Sequence, residues 1–246
     1  RNFEVLKWAR NELNLPWAPY PGEPVSDDVL VLRVLRETWP TLKEWCETWQ
    51  EWRVDVGPEE WVGVTMENGR VVELELREVR LTGAVPAEIG QLTALRKLDL
   101  EDNELTSLPA EIGQLASLRH LNLYDNFLLT SLPAEIGQLT SLTRLSLGYN
   151  QLTSLPAEIG QLASLEELRL EFNQLTSLPA EIGQLTLLRS LTLSGNRLTS
   201  VPAEIGQLTS LEVLWLGENQ LTSLPAEIGQ LTSLRDFDLD RYSYWP

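Results

Sequence analysis

The sequence predicts an α/β fold: a curved right-handed solenoid with a parallel β-sheet on its concave face and short helices or 3-10 turns on its convex side. Three observations predict it. The string Pro-Ala-Glu-Ile-Gly-Gln-Leu occurs seven times, at intervals of 23, 24, 23, 23, 23 and 23 residues, and a fixed period of this length is typical of solenoids. Leucines recur at matching places between the copies. Residues 1–68 lack the repeat and hold seven of the nine tryptophans, which predicts a helical, tryptophan-rich N-terminal cap.

The strand of each unit is predicted from leucines two residues apart. On a strand, Leu121 and Leu123 would point to one face, while His120, Asn122 and Tyr124 would point to the other. The leucines of stacked units would share one core. The residues that alternate with them would then line the concave face of a parallel sheet of eight strands.

The repeated string itself predicts a short helical turn on the convex side. Proline is preorganised for the first helical position, glutamate favours the positive N-terminal end, and glycine permits a left-handed exit. One residue interrupts the regularity, because the unit containing Phe127 and Leu128 is 24 residues long. The sequence predicts a bulge at this extra residue and gives no reason for its presence.

An asparagine recurs at the bend after each strand. Its amide both donates and accepts hydrogen bonds, so it can satisfy backbone groups that a sharp turn leaves unpaired. A structural role is therefore favoured over ligand binding. The predicted ladder consists of Asn103, Asn126, Asn150, Asn173, Asn196 and Asn219.

The chain is predicted to divide at residue 68. Residues 1–68 form the capping region, and residues 69–246 form seven full repeats and one partial repeat. Within the first part, residues 1–15 read as a helix, residues 16–25 as a proline-rich connector, and residues 26–68 as the cap proper.

Two helices are expected within residues 26–68. Ser26 is a suitable N-cap for a helix that runs to about Trp39, and Thr41 with Glu44 makes a capping box for the next one. An aromatic stripe on that second helix could serve as a ligand platform. Because an open solenoid end exposes leucines, a capping role is favoured.

These motifs together resemble the leucine-rich repeat family over residues 71–246. The 23-residue unit with Leu-Pro-x-x-Ile-Gly is most similar to the intracellular Ras-group repeats, whereas residues 81–86 are similar to the plant receptor type. Residues 61–65 (Trp-Val-Gly-Val-Thr) look like the N-terminal cap of plant-type proteins, but Glu59 and Met66 stand where that family has cysteines. The resemblance implies a solenoid that binds other proteins.

Composition argues against several classes of function. The chain carries 36 acidic and 19 basic residues, for a formal charge of −17, which argues against a nucleic-acid or anionic-membrane partner. No apolar run approaches the roughly 20 residues that a membrane span needs. A single cysteine and the lack of a signal-peptide pattern predict a cytoplasmic protein, which we expect to be monomeric.

No catalytic or metal site is predicted. Cys46 and His120 are the only possible thiol–imidazole pair, and they lie in different modules. Asp236, Asp238 and Asp240 alternate on the last strand, but they lack the glycine and distal glutamate of a calcium loop. No nucleotide-binding or zinc-protease motif occurs, so we expect neither an enzyme nor a cofactor.

One surface varies while the frame stays constant. The repeated string is identical in all seven copies, yet the two columns of concave strand residues each contain seven residue types in eight units. Tyrosine, tryptophan and arginine dominate interface hot spots. Aromatic and basic residues concentrate on the middle strands and just beyond, and the predicted partner-binding residues are His120, Tyr124, Arg144, Tyr149, Arg169, Phe172 and Trp215.

The sequence therefore predicts a non-catalytic protein–protein interaction module that binds a protein or peptide partner on its concave face. Because both ends of this face are acidic, we expect a basic partner. Two alternatives stay open. The chain could be a consensus-like or engineered repeat scaffold without a natural ligand, or the recognition domain of a larger signalling enzyme.

Overall fold

In the computed structural model, the described residues are 27–39, 41–43 and 61–239. The expected helix at residues 1–15, the connector at 16–25, Glu44, Cys46 and Asp240 lie outside them. Helix α1 spans Asp27–Thr38, close to the expected bounds. It precedes an antiparallel hairpin of β1 (Val64–Glu67) and β2 (Arg70–Glu75).

The main sheet has nine strands within the described residues. β1 lies antiparallel at its edge, and the eight strands that follow run parallel, as the alternation of leucines predicts. Each parallel pair shares one register, in which the central residue of a strand faces that of the next, as Leu98 faces Leu121. After β2 these strands are β4 (Lys97–Asp99), β6 (His120–Asn122), β7 (Arg144–Ser146), β8 (Glu167–Arg169), β9 (Ser190–Thr192), β10 (Val213–Trp215) and β11 (Asp236–Asp238).

A second, two-stranded parallel sheet joins the first two units. It pairs β3 (Thr82–Ala84) with β5 (Glu104–Ser107). The later units have no strand at this place in the described part of the chain. The small sheet coincides with residues 81–86, whose sequence departs from that of the later units.

Each repeated string forms a five-residue 3-10 helix on the convex side. Their bounds are η1 (Ala87–Gln91), η2 (Ala110–Gln114), η3 (Ala134–Gln138), η4 (Ala157–Gln161), η5 (Ala180–Gln184), η6 (Ala203–Gln207) and η7 (Ala226–Gln230).

Two details of the predicted helical turn were wrong. Proline precedes the helix in an extended conformation, as Pro86 does with φ −62° and ψ 144°, and does not occupy the first helical position. The glycine is not left-handed either, because the only described glycines with positive φ are Gly63, Gly69, Gly83 and Gly195. It is required for close approach, since a Cβ on Gly90 would lie 2.4 Å from the carbonyl oxygen of Glu111 in the next unit.

One hydrophobic core runs through the repeats and includes α1. The central strand leucines are fully buried, and each such burial stabilises the fold by about 1.5–3 kcal/mol. Each unit packs only against the units beside it. The stability of the solenoid is therefore approximately the sum of the contributions of the units and of the interfaces between adjacent units.

Helix α1 is tied to the first unit by polar contacts as well. Buried Asp28 accepts hydrogen bonds from Arg70 Nε at 2.9 Å and from the Val71 amide at 2.8 Å. Trp39 Nε1 donates to the carbonyl oxygen of Thr82 at 3.1 Å. These contacts and the buried Trp39 side chain hold α1 against the first unit.

The last unit is packed more loosely. Phe237 and Leu239 are 41% and 44% exposed, and Ile228, unlike its six counterparts in the earlier units, is only partly buried. A cleft of about 210 Å³ lies between Leu221, Leu224 and Leu239.

Candidate functional site

The seven residues predicted to contact a partner fall into two groups. His120, Arg144, Arg169 and Trp215 lie on strands β6, β7, β8 and β10. The other three, Tyr124, Tyr149 and Phe172, follow β6, β7 and β8 and line the rim of the concave face. We call these three residues the aromatic rim.

The rings of the aromatic rim form a continuous ladder across three units. The Tyr124 and Tyr149 ring centroids are 5.1 Å apart at an interplanar angle of 53°, and those of Tyr149 and Phe172 are 4.5 Å apart at 32°. These separations are within the range of favourable aromatic pairs. Tyr149 is nevertheless 41% exposed, so the ladder presents ring surface to solvent.

Two glycines make room for the outer rings. A Cβ on Gly148 would lie 2.8 Å from Cε2 of Tyr124, and a Cβ on Gly195 would lie 2.6 Å from Cδ1 of Phe172. Any larger residue at either place would displace a ring. The smallness of these two residues therefore belongs to the architecture of the rim.

Tyr149 and Phe172 also adopt a backbone conformation that aromatic residues rarely take. Their φ angles are 55° and 54°, in the left-handed region. Asp125, Gly195 and Glu218 occupy the same turn position in other units, also with positive φ. Holding a bulky residue there costs on the order of 1–2 kcal/mol, which the turn geometry of the solenoid imposes.

The Tyr124 hydroxyl is protonated at neutral pH. Burial, the neighbouring Tyr149 and Glu171, and a hydrogen bond with Tyr149 raise its pKa to about 12. The rim therefore carries a neutral Tyr124 hydroxyl beside its rings, suited to packing and hydrogen bonding.

The two arginines of the middle strands share one carboxylate. Glu167 Oε1 lies 2.5 Å from Arg169 Nε, and its Oε2 lies 3.6 Å from Arg144 Nε. The basic centre that the sequence predicts is therefore reduced to one net positive charge across these three residues. Both guanidinium groups stay at least half exposed, so they can still contact a partner.

His120 lies between basic neighbours on the same face. Its pKa is lowered from the ordinary 6.5, first by burial and then by the positive charges of Arg144, Lys97 and Arg119. The imidazole is therefore neutral at physiological pH and can act as both donor and acceptor.

The acidic end of the concave face is internally paired. Glu75 forms an ion pair with Lys97, and Arg77 Nη2 lies 2.7 Å from Glu101. Asn122 Nδ2 donates to both Asp99, at 3.0 Å, and Glu101, at 2.7 Å. Several of the carboxylates at this end therefore already form ion pairs or hydrogen bonds within the protein.

Trp215 is less exposed than expected. It is half-buried, and its Nε1 donates to Oδ2 of Asp236 on the neighbouring strand at 3.1 Å. Strand β9 separates it from Arg169, so the two lie two strand spacings apart, about 10 Å. Trp215 is thus not part of the aromatic rim.

The six asparagines of the ladder bind backbone groups of two adjacent units. Asn173, for example, donates from Nδ2 to Leu147 at 2.8 Å and Leu170 at 3.2 Å, and its Oδ1 accepts from the Leu152 amide at 2.9 Å. Asn150 is the exception, because its buried Oδ1 has no hydrogen-bond partner among the described residues.

The described residues contain no group of three or more histidine, cysteine, aspartate or glutamate side chains suited to a metal ion. They also contain no helix of the length and apolarity that a bilayer crossing demands.

A family model described as a leucine-rich repeat region matches residues 66–174 and again residues 168–244. The chain belongs to the leucine-rich repeat family. The match spans the units in which the strands, the asparagine ladder and the 3-10 helices recur.

Relatives within the leucine-rich repeat family come from plants and bacteria. An Arabidopsis thaliana protein named "Probable leucine-rich repeat receptor-like protein kinase" is 38% identical over 80 residues, covering 32% of this chain and 8% of its own. A leucine-rich repeat protein of Leptospira interrogans is 44% identical in structural alignment, with a TM-score of 0.51, covering 68% of this chain and 48% of its own.

A third relative is the leucine-rich repeat ectodomain of the Arabidopsis receptor kinase HAESA, solved in complex with an N-terminally extended IDA peptide hormone ligand. It is 28% identical with a TM-score of 0.61, covering 87% of this chain and 41% of its own. The chain thus spans less than half the length of each of these relatives.

Some features of this leucine-rich repeat surface were missed by sequence reasoning. Gly148, Gly195 and Glu167 were not assigned a role, although their positions hold a signal. Residues at the same strand position in adjacent units lie opposite each other in the parallel sheet. The repeat therefore predicts that Glu167 lies beside Arg144. The packing of Tyr124 against Gly148 and of Phe172 against Gly195 depends on side-chain directions, which the repeat alone does not specify.

Proposed function

We propose that this leucine-rich repeat protein is a non-catalytic interaction module that binds a polypeptide partner across the middle of its concave face. The observation that carries the proposal is the aromatic rim. It presents the half-buried rings of Tyr124 and Phe172 and the exposed ring of Tyr149 from three consecutive units, within a frame whose convex string Pro-Ala-Glu-Ile-Gly-Gln-Leu is identical in every copy.

The energetics of the rim support a binding role. Placing Tyr149 and Phe172 in left-handed turns costs free energy, and an aspartate, glycine or glutamate occupies the same turn elsewhere. The fold does not require aromatic residues at this position. Rigid aromatic side chains supply large contact area at low entropic cost when a partner binds.

The neighbouring strand residues complete a mixed surface. The exposed guanidinium groups of Arg144 and Arg169 flank the rim, and neutral His120 offers a hydrogen-bonding group. Trp215 extends the surface toward the C-terminal end. The HAESA ectodomain, which is similar to this chain in fold, was solved with a peptide hormone ligand, and this likeness favours a peptide-like partner.

We further propose that the partner is met inside the cell. The chain has one cysteine, and the positions at which plant-type caps carry cysteines hold Glu59 and Met66. An internal disulfide is therefore not part of this fold, which suits a reducing compartment. Secretion of the protein in its native host, followed by immunodetection outside the cell, would contradict this location.

The proposal is tested with a displayed library of random peptides selected on the chain. The test variant combines three changes to residues found at the same position in other units: Tyr149→Asp, Arg169→Ser and Trp215→Thr. Peptides enriched on the parent protein should lose at least about ten-fold in affinity on this variant, equivalent to 1.4 kcal/mol.

A matched control is Leu187→Ser, which replaces an exposed leucine outside the concave face with the serine that most other units carry there. It should bind the selected peptides like the parent. Equal binding by parent and triple variant would refute concave-face recognition. No enrichment at all would favour the alternative of a scaffold without a ligand.

A further inference from the structure

We propose that the middle of the concave face binds an acidic side chain of the partner polypeptide, a glutamate or an aspartate, between Arg119 and Arg144 and against His120. This inference rests on the proposed function, because it names the chemistry by which part of the partner is recognised. Three features carry it: the order of charges along one row of the sheet, the incomplete pairing of the two arginines, and the positive potential around the imidazole.

The first feature is a row of five side chains that lie side by side on adjacent strands of the concave face. In strand order from β2 to β8, the parallel register aligns Glu73, Lys97, His120, Arg144 and Glu167. The row therefore reads acid, base, imidazole, base, acid, with neighbouring strands about 4.8 Å apart. His120 is the member of this row that has a basic residue on each side. A carboxylate placed over it would continue the alternation of charge.

The second feature is the weak pairing of Arg144. Its Nε lies 3.6 Å from Oε2 of Glu167, which is longer than a hydrogen bond, whereas Oε1 of the same carboxylate lies 2.5 Å from Nε of Arg169. The Arg144 side chain is also 63% exposed. Its guanidinium group can therefore donate to a carboxylate that approaches from solvent.

Arg119 is the second available cation. It is exposed, directly precedes His120, and forms no ion pair within the described part of the chain. Its carbonyl oxygen accepts hydrogen bonds from the amides of Thr143 and Arg144, at 2.8 and 3.0 Å, so the backbones of the two arginines lie side by side. The residues at its position in the units on either side are Arg96 and Thr143, and neither supplies an acid.

The other carboxylates of β2 and β4 are engaged away from the two arginines. Glu75 forms an ion pair with Lys97. Asp99 lies opposite Asn122 and accepts a hydrogen bond from its Nδ2 at 3.0 Å. The site is therefore a local basic region on a face whose ends are acidic, and those ends still favour basic residues elsewhere in the partner.

The third feature is the electrostatic potential around His120. Burial lowers its pKa first, and the positive charges of three basic side chains lower it further, namely Arg144, Lys97 and Arg119. Glu73 acts in the opposite direction and is the smallest of these influences. The charges of the protein therefore disfavour a further cation at the imidazole and favour an anion. A bound carboxylate would accept a ring N–H of neutral His120 together with N–H groups of the arginines.

The probe is the pentapeptide acetyl-Gly-Gly-Glu-Gly-Gly-amide, and its partner is the same peptide with glutamine, which keeps the shape and loses the charge. Both are titrated into the whole chain while NMR follows the ring signals of His120, the single histidine, as a function of pH. The glutamate peptide should raise the pKa of His120 by about one at saturation, because a nearby negative charge stabilises the imidazolium. The glutamine peptide should leave this pKa unchanged.

Two arginine variants and a matched control locate the site. Arg119→Thr and Arg144→Ser introduce residues found at the same positions in other units, and each should weaken the glutamate peptide about three-fold, as loss of an exposed charge predicts. The control is Arg235→Thr, because Arg235 occupies the position of Arg119 in the last unit and the change removes the same charge from the chain. It should leave the titration unchanged. A melting curve for each variant shows that it is folded.

The affinity for the glutamate peptide should depend on pH. Because the bound carboxylate raises the pKa of His120, binding should tighten as the pH falls through the pKa of the complex to that of the free protein. The measurement stays above about pH 5, where the glutamate of the peptide is ionised. His120→Gln should still bind the peptide and should lose this pH dependence.

Equal responses to the glutamate and glutamine peptides would overturn the proposal, as would equal losses of affinity in Arg119→Thr and Arg235→Thr. The glutamine peptide with a free C-terminal carboxylate tests the source of the acid. If it raises the pKa of His120 as much as the glutamate peptide does, the assignment to an acidic side chain is wrong.

The library selection distinguishes failure of this site from failure of the proposed function. Selected peptides that need the concave face but lose nothing when their acidic residues become amides would refute the carboxylate site and leave the interaction module standing. A response of His120 to the glutamate peptide, in a protein that enriches no concave-face peptide, would do the reverse.

Discussion

Leu129 donates its backbone N–H to the carbonyl oxygen of Asn126, 2.8 Å away, and not to the side chain of the next asparagine in the ladder. In the following unit the equivalent Leu152 amide donates to Oδ1 of Asn173 at 2.9 Å. The extra residue of the 24-residue unit closes a turn in which the Leu129 N–H is bonded to Asn126. The buried Oδ1 of Asn150 therefore has no hydrogen-bond donor among the described residues. The insertion thus has an energetic cost.

Deleting Phe127 should therefore stabilise the protein. The unit then reads Asn-Leu-Leu-Thr-Ser-Leu-Pro, in the 23-residue frame, and the Leu129 amide can reach Asn150. Satisfying a buried acceptor predicts a gain of about 1–2 kcal/mol in the free energy of unfolding. Urea denaturation measures it, and Phe127→Gln, which keeps the extra residue, should bring no such gain. A less stable deletion variant would show that the turn is needed.

The asparagines of the ladder should differ in their contribution to stability. Asn173→Ala removes the donors to Leu147 and Leu170 and the acceptor of the Leu152 amide, whereas Asn150→Ala removes donors alone. We expect the loss at Asn173 to exceed the loss at Asn150 by about 1 kcal/mol, the net value of one hydrogen bond. Equal losses of unfolding free energy for the two variants, measured by urea denaturation, would contradict the conclusion that Asn150 Oδ1 has no hydrogen-bond partner.

Protonation of His120 should oppose folding. Its pKa is lowered in the folded state, by burial first and by Arg144 next, so the unfolded chain binds the proton more tightly. The stability that neutral His120 contributes is present above the ordinary pKa of 6.5 and is lost as the pH falls from there through the folded pKa. His120→Gln should abolish this part of the pH dependence in denaturation curves recorded above and below pH 6.5.

An NMR titration of the His120 ring gives the same result directly. The folded pKa should lie below 6.5, and Arg144→Ser should raise it without restoring the ordinary value, because burial is the larger cause. A folded pKa above 6.5 would refute the surroundings described for this residue.

The contact between α1 and the first unit should be energetically important. Asp28→Ala leaves the Val71 amide and Arg70 without their buried acceptor, so we expect a loss of about 3 kcal/mol. Glu67→Gln breaks an ion pair with Arg96 in which both side chains are half exposed, and should cost less than about 1 kcal/mol. Similar unfolding free energies for the two variants would argue against α1 as a cap.

Much of this fold could be predicted because one pattern is repeated. The pair Leu121 and Leu123 indicates a strand, and its recurrence every 23 residues indicates a stacked sheet with one face varied. The convex glycine was misread, since close approach and left-handed geometry both favour glycine and a single sequence does not separate them. The structure separates the two explanations, because a Cβ on Gly90 would lie 2.4 Å from the carbonyl oxygen of Glu111.

The structure groups the predicted contact residues differently from the sequence analysis, and their role in binding stays a prediction. Tyr124, Tyr149 and Phe172 were selected with Trp215 as one surface, yet the structure joins only the first three. Their contact depends on left-handed backbone angles and on ring directions, neither of which follows from position in the repeat. The pairing of Trp215 with Asp236 likewise depends on which way an indole turns.

The constant register of the parallel strands has a consequence for how such a protein changes over evolutionary time. Because the units from β4 to β8 meet through the same strand pairing and carry an identical convex string, recombination between two of these copies would add or remove whole units and keep the same strand pairing. The reach of the binding surface and the chemistry of each strand can therefore be altered independently. The aromatic rim occupies three adjoining units, so it could be duplicated or lost as a single block.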